Sequence, residues 1–380
     1  MKRKNTIYLD NNATTPIDRR VLTAMLADFS DHPLNPSSAH FFGRQARGLL
    51  AAARKTIANY LEVKPSEIIF TSGGTESLNL LIRGALEQYP SGHIISSNLD
   101  HACVYNTVQA CERKGYSATY LSPGVYGAPT AAAVAAAMQH NTRLVVLSAA
   151  NSETGVKLAI GEIAAIAEQA GIPLILDGVA LLGKESIQLP PGVMGMGFSG
   201  HKIHGPKGVG FAFARADLAL QAQLLGGGQE ESRRSGTENL AGILGLAKAI
   251  AILEAEGAPA ARQMARLQTQ LEVGLRRAIP QLIINGTGPR IVNTSNIAFP
   301  GIEGEVLLAQ LDQLGIAVSH GSACASGALE PSRVLLNMGL SRSRAASSLR
   351  FSLSRMNTEA DIETTIDTIA SLVNKTVNFL

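Results

Sequence analysis

Ile68-Ile69-Phe70-Thr71-Ser72-Gly73-Gly74-Thr75-Glu76-Ser77 is the stretch that decides the fold. A short apolar run ends in small polar residues and two glycines, and a helical pattern then runs from Ser77 to Glu87. A run without polar alternation suits a strand covered on both faces. The same rhythm extends from about residue 66 to 214. Ile94-Ile95, Leu144-Val145-Val146-Leu147, Pro173-Leu174-Ile175-Leu176 and Val209-Gly210-Phe211-Ala212-Phe213 read as further strands. Helical stretches at Ala131 to Gln139 and Gly161 to Ala170 separate them. Strands alternating with helices predict an α/β domain with a mainly parallel sheet covered by helices.

Downstream the rhythm changes. Leu240 to Leu253 contains Lys248 and is too short for a membrane span, so it reads as a buried helix. An amphipathic helix over Ala260 to Arg277 precedes strand candidates at 282–284 and 291–299, a helix at 304–314 and the strand Ser348 to Leu353. Thr358-Glu359-Ala360-Asp361 opens a last helix with a capping box. This suits a smaller α+β domain. The expected division is 15–258 for the large domain, with 1–14 and 259–380 forming the small one.

The 380 residues are 46% hydrophobic and 17% charged, enough for a sizeable core. Thirty-three basic against 30 acidic residues leave a formal charge of +3, which gives no footprint for nucleic acid. Trp is absent, so base-stacking platforms are not expected either. Cys103, Cys111 and Cys324 make neither a disulfide framework nor a four-ligand metal site, and a reducing compartment is expected. The basic start Met1 to Asn5 is followed by no apolar leader. The expectation is a soluble cytoplasmic protein without membrane or nucleic-acid partners.

Several motifs carry chemistry. In Thr71 to Ser77 the glycines let backbone approach an anion, and the helix start presents free N–H groups; a plain tight turn is the other reading. Lys202, in Ser199-Gly200-His201-Lys202-Ile203-His204-Gly205, lies on a glycine-bracketed turn and suits a Schiff-base amine beside phosphate-binding groups. Asp177 closes an apolar strand, where open α/β sheets bind ligands. It suits a partner for a pyridinium nitrogen, and equally a helix cap. Cys324, among small residues in Gly321 to Gly327, predicts an accessible thiol on a mobile loop, whereas Cys103 and Cys111 read as core fillers. His101 follows Asp100, where a general acid/base competes with a packed ring behind a capping aspartate. Arg350 alternates with apolar neighbours, so its guanidinium needs an anionic partner such as a substrate carboxylate.

Together these segments resemble the NifS/IscS-type cysteine desulfurases, class V, fold-type I pyridoxal-phosphate enzymes. Tyr8-Leu9-Asp10-Asn11-Asn12-Ala13-Thr14-Thr15-Pro16, Asn35-Pro36-Ser37-Ser38 and Arg234-Ser235-Gly236-Thr237 add to the likeness. The resemblance implies that Lys202 holds pyridoxal 5'-phosphate and Asp177 pairs with its ring nitrogen. It implies that Gly74, Thr75, Ser199 and His201 hold the phosphate, with Thr237 reaching it from the neighbouring subunit of a homodimer. His101 would stack over the ring and move protons. Arg350 with Asn35 would bind the carboxylate of L-cysteine. Cys324 would accept sulfur as a persulfide and pass it to an acceptor protein, with no resident metal and at most a transient contact to an iron–sulfur cluster. Two departures stand out. Asn151-Ser152-Glu153 replaces the usual Asn-Asn-Glu, and Ala180 replaces a glutamine three residues after Asp177. In the family both side chains lie near the cofactor's ring oxygen. They motivate the rival reading of a β-lyase or aminotransferase; a degenerate scaffold would need none of the retained residues.

Overall fold

The computed structural model describes residues 6–26, 33–321 and 331–377. The chain opens with β1 (Ile7–Tyr8), α1 (Arg19–Leu26) and α2 (Phe41–Leu61). Then follow β2 (Ile68–Thr71), α3 (Gly74–Leu86), β3 (His93–Ser97), α4 (Ala102–Glu112), β4 (Ser117–Leu121) and α5 (Ala131–Ala137). The large sheet is completed by β5 (Thr142–Ser148), α6 (Ile160–Gln169), β6 (Leu174–Asp177), β7 (Val193–Ser199) and β8 (Gly210–Ala214). The long α7 (Leu240–Ala278) leads to β9 (Ile283–Ile284), β10 (Thr294–Ala298), α8 (Gly304–Gln313) and β11 (Ile316–Ala317). Last come α9 (Arg333–Asn337), α10 (Arg342–Ala346), β12 (Ser348–Ser352) and α11 (Glu359–Val377).

Seven strands form the large sheet in the order β2-β8-β7-β6-β5-β3-β4. Only β8 runs antiparallel to its neighbours, so the carboxyl ends of the remaining strands share one edge. That edge is where such sheets bind ligands. Its inner strands are buried on both faces, between one apolar cluster containing α2 and α7 and another containing α3 and α4. A three-stranded sheet, β12-β10-β9, and the pair β1-β11 accompany a separate apolar cluster built from Leu9 and residues of 264–373. No helix among the described residues is long and apolar enough to cross a membrane.

Three elements differ from the sequence expectation. The helices expected at 240–253 and 260–277 are one continuous α7, with Pro259 inside it. β4 has no apolar run because it is a half-exposed edge strand. β7 hides its character in glycines. A Cβ on Gly195 or Gly197 would come within 3.0 or 2.9 Å of Leu81 or Leu78, so α3 packs directly on the bare backbone. The capping box of α11 is present, with Thr358 and Asp361 bonding each other's backbone N–H.

Candidate active site

At the carboxyl edge of the large sheet lies a cavity of about 250 Å³. Its wall combines Asn12 and Ala13, the α3 start at Gly74 and Thr75, His101, Cys103, Ser152, Glu153, Asp177, Ala180, Lys184, Ser199, His201, Lys202, Arg333 and Arg350. The edges of several strands thus converge with β12 of the smaller sheet.

Lys202 ends the 3-10 turn that leaves β7. A Cβ on Gly205 would meet the Gly200 carbonyl at 2.7 Å, so the turn closes only with glycine there. The Lys202 amine donates to the carbonyls of Asn12 and, at 2.9 Å, Ala13. Asp177, at the end of β6, is 6% exposed, and its carboxylate accepts the Val179 N–H at 3.0 Å. Burial raises its pKa, against the opposing charges of His101 and Lys202.

Gly73, with φ of 152°, turns β2 into α3, a backbone conformation open to glycine. At Gly74 a Cβ would strike Val179 at 2.5 Å. The helix start is therefore held close to the segment after Asp177. His201 Nδ1 lies 3.0 Å from Thr14 Oγ1, and burial, with the charges of Lys202 and Lys207, lowers its pKa to about 4. The ring is neutral at pH 7.

His101, not Asp100, caps α4: its Nδ1 accepts the Cys103 N–H at 3.1 Å. Asp100 instead ties β3 to β5, accepting from Ser97 and Ser148 N–H groups at 2.8 Å, and burial raises its pKa to about 6. Cys103 packs against the α3–α4 cluster, as expected of a core filler, and also lines the cavity with Sγ 3.0 Å from His101 Nδ1; Cys111 is buried within that cluster. His101, Cys103 and Asp177 lie within 4.8 Å of one another, a spacing that admits a metal ion. The positive end of α4 and the engaged Nδ1 lone pair oppose one there.

Arg350 is 3% exposed. Its Nη2 pairs with Asp10 at 2.6 Å, its Nη1 donates to the Ser152 carbonyl at 3.2 Å, and its Nε has no partner. Asn151 lines the cavity, but its amide is committed to the chain itself. Nδ2 donates to the Leu99 carbonyl, and Oδ1 accepts from the Glu153 and Thr154 N–H groups. Ser152 and Ala180 both face the cavity. Asn35 is not part of this wall; its Oδ1 accepts the Ser37 N–H at 2.9 Å. Thr237 is exposed and likewise not part of it. Cys324 lies outside the described residues.

Two buried charges in the wall escaped the sequence reading. Glu153 accepts a hydrogen bond from Ser332 Oγ, and Lys184 donates to the Lys202 carbonyl at 3.1 Å. Burial, then the Lys202 charge, lowers the Lys184 pKa to about 8. Lys184 lies in no local motif, on a turn rather than a helix, and only the fold brings it to the wall.

The chain belongs to the class-V aminotransferase family, whose model matches residues 7–365. It is 41% identical over 372 residues to the cysteine desulfurase of Trichormus azollae, covering 97% of this chain and 93% of that protein. Against the cysteine desulfurase IscS of Anaeromyxobacter sp. (strain Fw109-5) it is 39% identical over 376 residues, with the same coverage. Among solved structures, a NifS-like protein superposes with a TM-score of 0.90 at 32% identity, covering 99% of this chain and all of the other. SspA in complex with cysteine superposes at 0.83 with 32% identity, covering 93% of this chain and 100% of that one.

Proposed function

We propose that the chain is a pyridoxal 5'-phosphate-dependent cysteine desulfurase, converting L-cysteine to L-alanine and taking the sulfur on Cys324 as a persulfide. The observation that carries this reading is the meeting in one cavity of the Lys202 amine, the buried Asp177 carboxylate and the Arg350 guanidinium. The residues fit the cofactor. Asp177 is a buried carboxylate whose burial outweighs the nearby charges of His101 and Lys202, and a protonated ring nitrogen would supply a further donor to it. The backbone at Gly74 and Thr75 opens α3 toward the cavity, as a phosphate requires. Arg350 lines the cavity with Nη2 on Asp10 and Nη1 on the Ser152 carbonyl, and the N–H groups left over are donors suited to a substrate carboxylate.

When bound, the cofactor supplies an aldehyde for amines and a cationic ring that takes up electron density from the substrate. Lys202 would anchor it and, as a free amine, would move the proton at the substrate Cα. Asp177 would keep a proton on the ring nitrogen. Because Nδ1 of His101 accepts the Cys103 N–H, the neutral imidazole carries its proton on Nε2 and can give it up there. Gly74, Thr75, Ser199 and His201 hold the phosphate, and Arg350 orients the substrate by its carboxylate. Cys324, as thiolate, would attack the substrate sulfur; the S–S bond would form as the Cβ–S bond breaks, and the electron pair left at Cβ would take up a proton on the way to alanine.

The proposal extends to a cytoplasmic homodimer in which the partner subunit's Thr237 completes the phosphate site and Asn35 assists Arg350. It includes a protein that accepts the sulfur, and the division at residue 258. Separate apolar clusters, one containing Leu253 and one starting at Met264 of α7, support that division.

Incubation of the holo-protein with L-cysteine and a reductant should release alanine and sulfide in equal amounts. Pyruvate and ammonia would instead assign a β-lyase, the reading favoured by Ala180, which places no donor in the wall. Cys324→Ser should retain the cofactor and lose persulfide labelling. Label persisting on that variant would move the acceptor to Cys103 or Cys111.

A further inference from the structure

The segment Asp10 to Thr15 touches three working groups of the cavity. Asn12 and Ala13 accept from the Lys202 amine, Thr14 meets His201, and Asp10 meets Arg350. The first two contacts belong to the amine and the phosphate cup. The third has no assigned purpose.

Asp10 is fixed before it reaches Arg350. It bridges to Ser352 of β12, and its carbonyl accepts the Tyr8 hydroxyl at 3.0 Å. Its carboxylate, 17% exposed at the side chain, takes Arg350 Nη2 at 2.6 Å. With Nη1 on the Ser152 carbonyl, two of the three guanidinium nitrogens are bonded and Nε remains a buried donor with no acceptor.

We propose that Asp10 is the positioning residue for Arg350, fixing the roll of the guanidinium so that its unpaired edge receives the substrate α-carboxylate. This rests on the reading of Arg350 as the carboxylate-binding group. A buried guanidinium needs a counter-charge, and a carboxylate on one nitrogen sets its plane while leaving donors unused. The Ser152 carbonyl alone is one neutral bond on a rotatable side chain. The other carboxylate whose charge acts on Arg350 is Glu153, held by Ser332 on the cavity wall. Without Asp10, the guanidinium is left with the Ser152 carbonyl and the nearby Glu153 carboxylate, and nothing on the Asp10 side fixes the edge offered to substrate.

The test separates carboxylate recognition from general damage. Dissociation constants for L-alanine and L-alanine methyl ester are read from the absorbance of the bound cofactor, and KM and kcat are measured for L-cysteine. Asp10→Ala should weaken L-alanine about tenfold and leave the ester within about twofold, as expected for loss of one charge-assisted contact. KM for L-cysteine should rise in step while kcat holds. Asp10→Asn, which keeps the shape, should show a smaller loss of the same selectivity, and Asp10→Glu should recover part of it. Equal weakening of acid and ester, or no weakening of either, would overturn the inference. Arg350→Gln is the reference: if it too fails to separate acid from ester, the carboxylate reading of Arg350 itself falls. If it separates them and the Asp10 variants do not, only the role of Asp10 falls.

Discussion

Asp177 and Ala180 sit three residues apart and set opposite sides of the cavity's chemistry. The carboxylate of Asp177 is buried beside His101 and Lys202, and burial raises its pKa. With Lys202 as the proposed anchor, Asp177→Asn should keep the cofactor bound and lower kcat on the order of a hundredfold. A kcat within twofold of the parent would remove Asp177 from the chemistry. Ala180 lines the cavity without a donor. Ala180→Gln should shift the pH at which the absorbance of bound cofactor changes, and an unchanged titration would place residue 180 away from the ring oxygen. His204 gives a stability prediction. Its Nδ1 bonds the Pro16 carbonyl at 2.8 Å, and burial lowers its pKa from 6.5 to about 4. Between those values the unfolded chain binds more protons, so stability rises with pH through that window and falls on acidification. Asn accepts the φ of 63° at this position. His204→Asn should therefore lose less melting temperature than the parent between pH 7 and 4.5. Parallel curves would refute this.

Among the described elements, the turn Gln229–Ser232 before α7 carries three consecutive non-glycine residues in the left-handed region. Glu230, Glu231 and Ser232 all have positive φ, at 48°, 57° and 63°. Glu230 holds the turn in place. Its carboxylate takes both Arg54 amines at 2.6 and 2.7 Å and the Phe70 N–H at 2.8 Å, while the guanidinium lies 4.6 Å over the Phe70 ring. Arg54→Met would leave that carboxylate buried without its cation, at a cost of about 3–5 kcal/mol readable by urea denaturation. A change below about 1 kcal/mol would show the pair to be a mere surface bridge. None of this was visible in the sequence, because the partners lie far apart along the chain. The continuous apolar strands β3, β5 and β6 were legible from their runs. β7 was not, because the glycines that admit α3 erase the pattern. The expected helices stop at Leu253 and begin again at Ala260, yet α7 continues through Gly257 and Pro259 between them.

At the scale of the molecule, the site depends on contacts that join distant parts of the chain. Ile7 and Tyr8 pair with Ile316 and Ala317, Asp10 with Arg350, and Thr15 with His201. The groups of the cavity were legible because each sits in a short local motif, as Lys202 does in its glycine turn. Their supports, Asp10, Glu153 and Lys184, were not, because their roles exist only once the two halves of the chain meet. The proposed chemistry requires that the Lys202 amine, and not that of Lys184 in the same wall, carry the cofactor. The most direct measurement is borohydride reduction of the protein loaded with pyridoxal 5'-phosphate, followed by peptide mapping. The reduced adduct is expected on Lys202 alone; an adduct on Lys184 or a surface lysine, with Lys202 unmodified, would contradict the account.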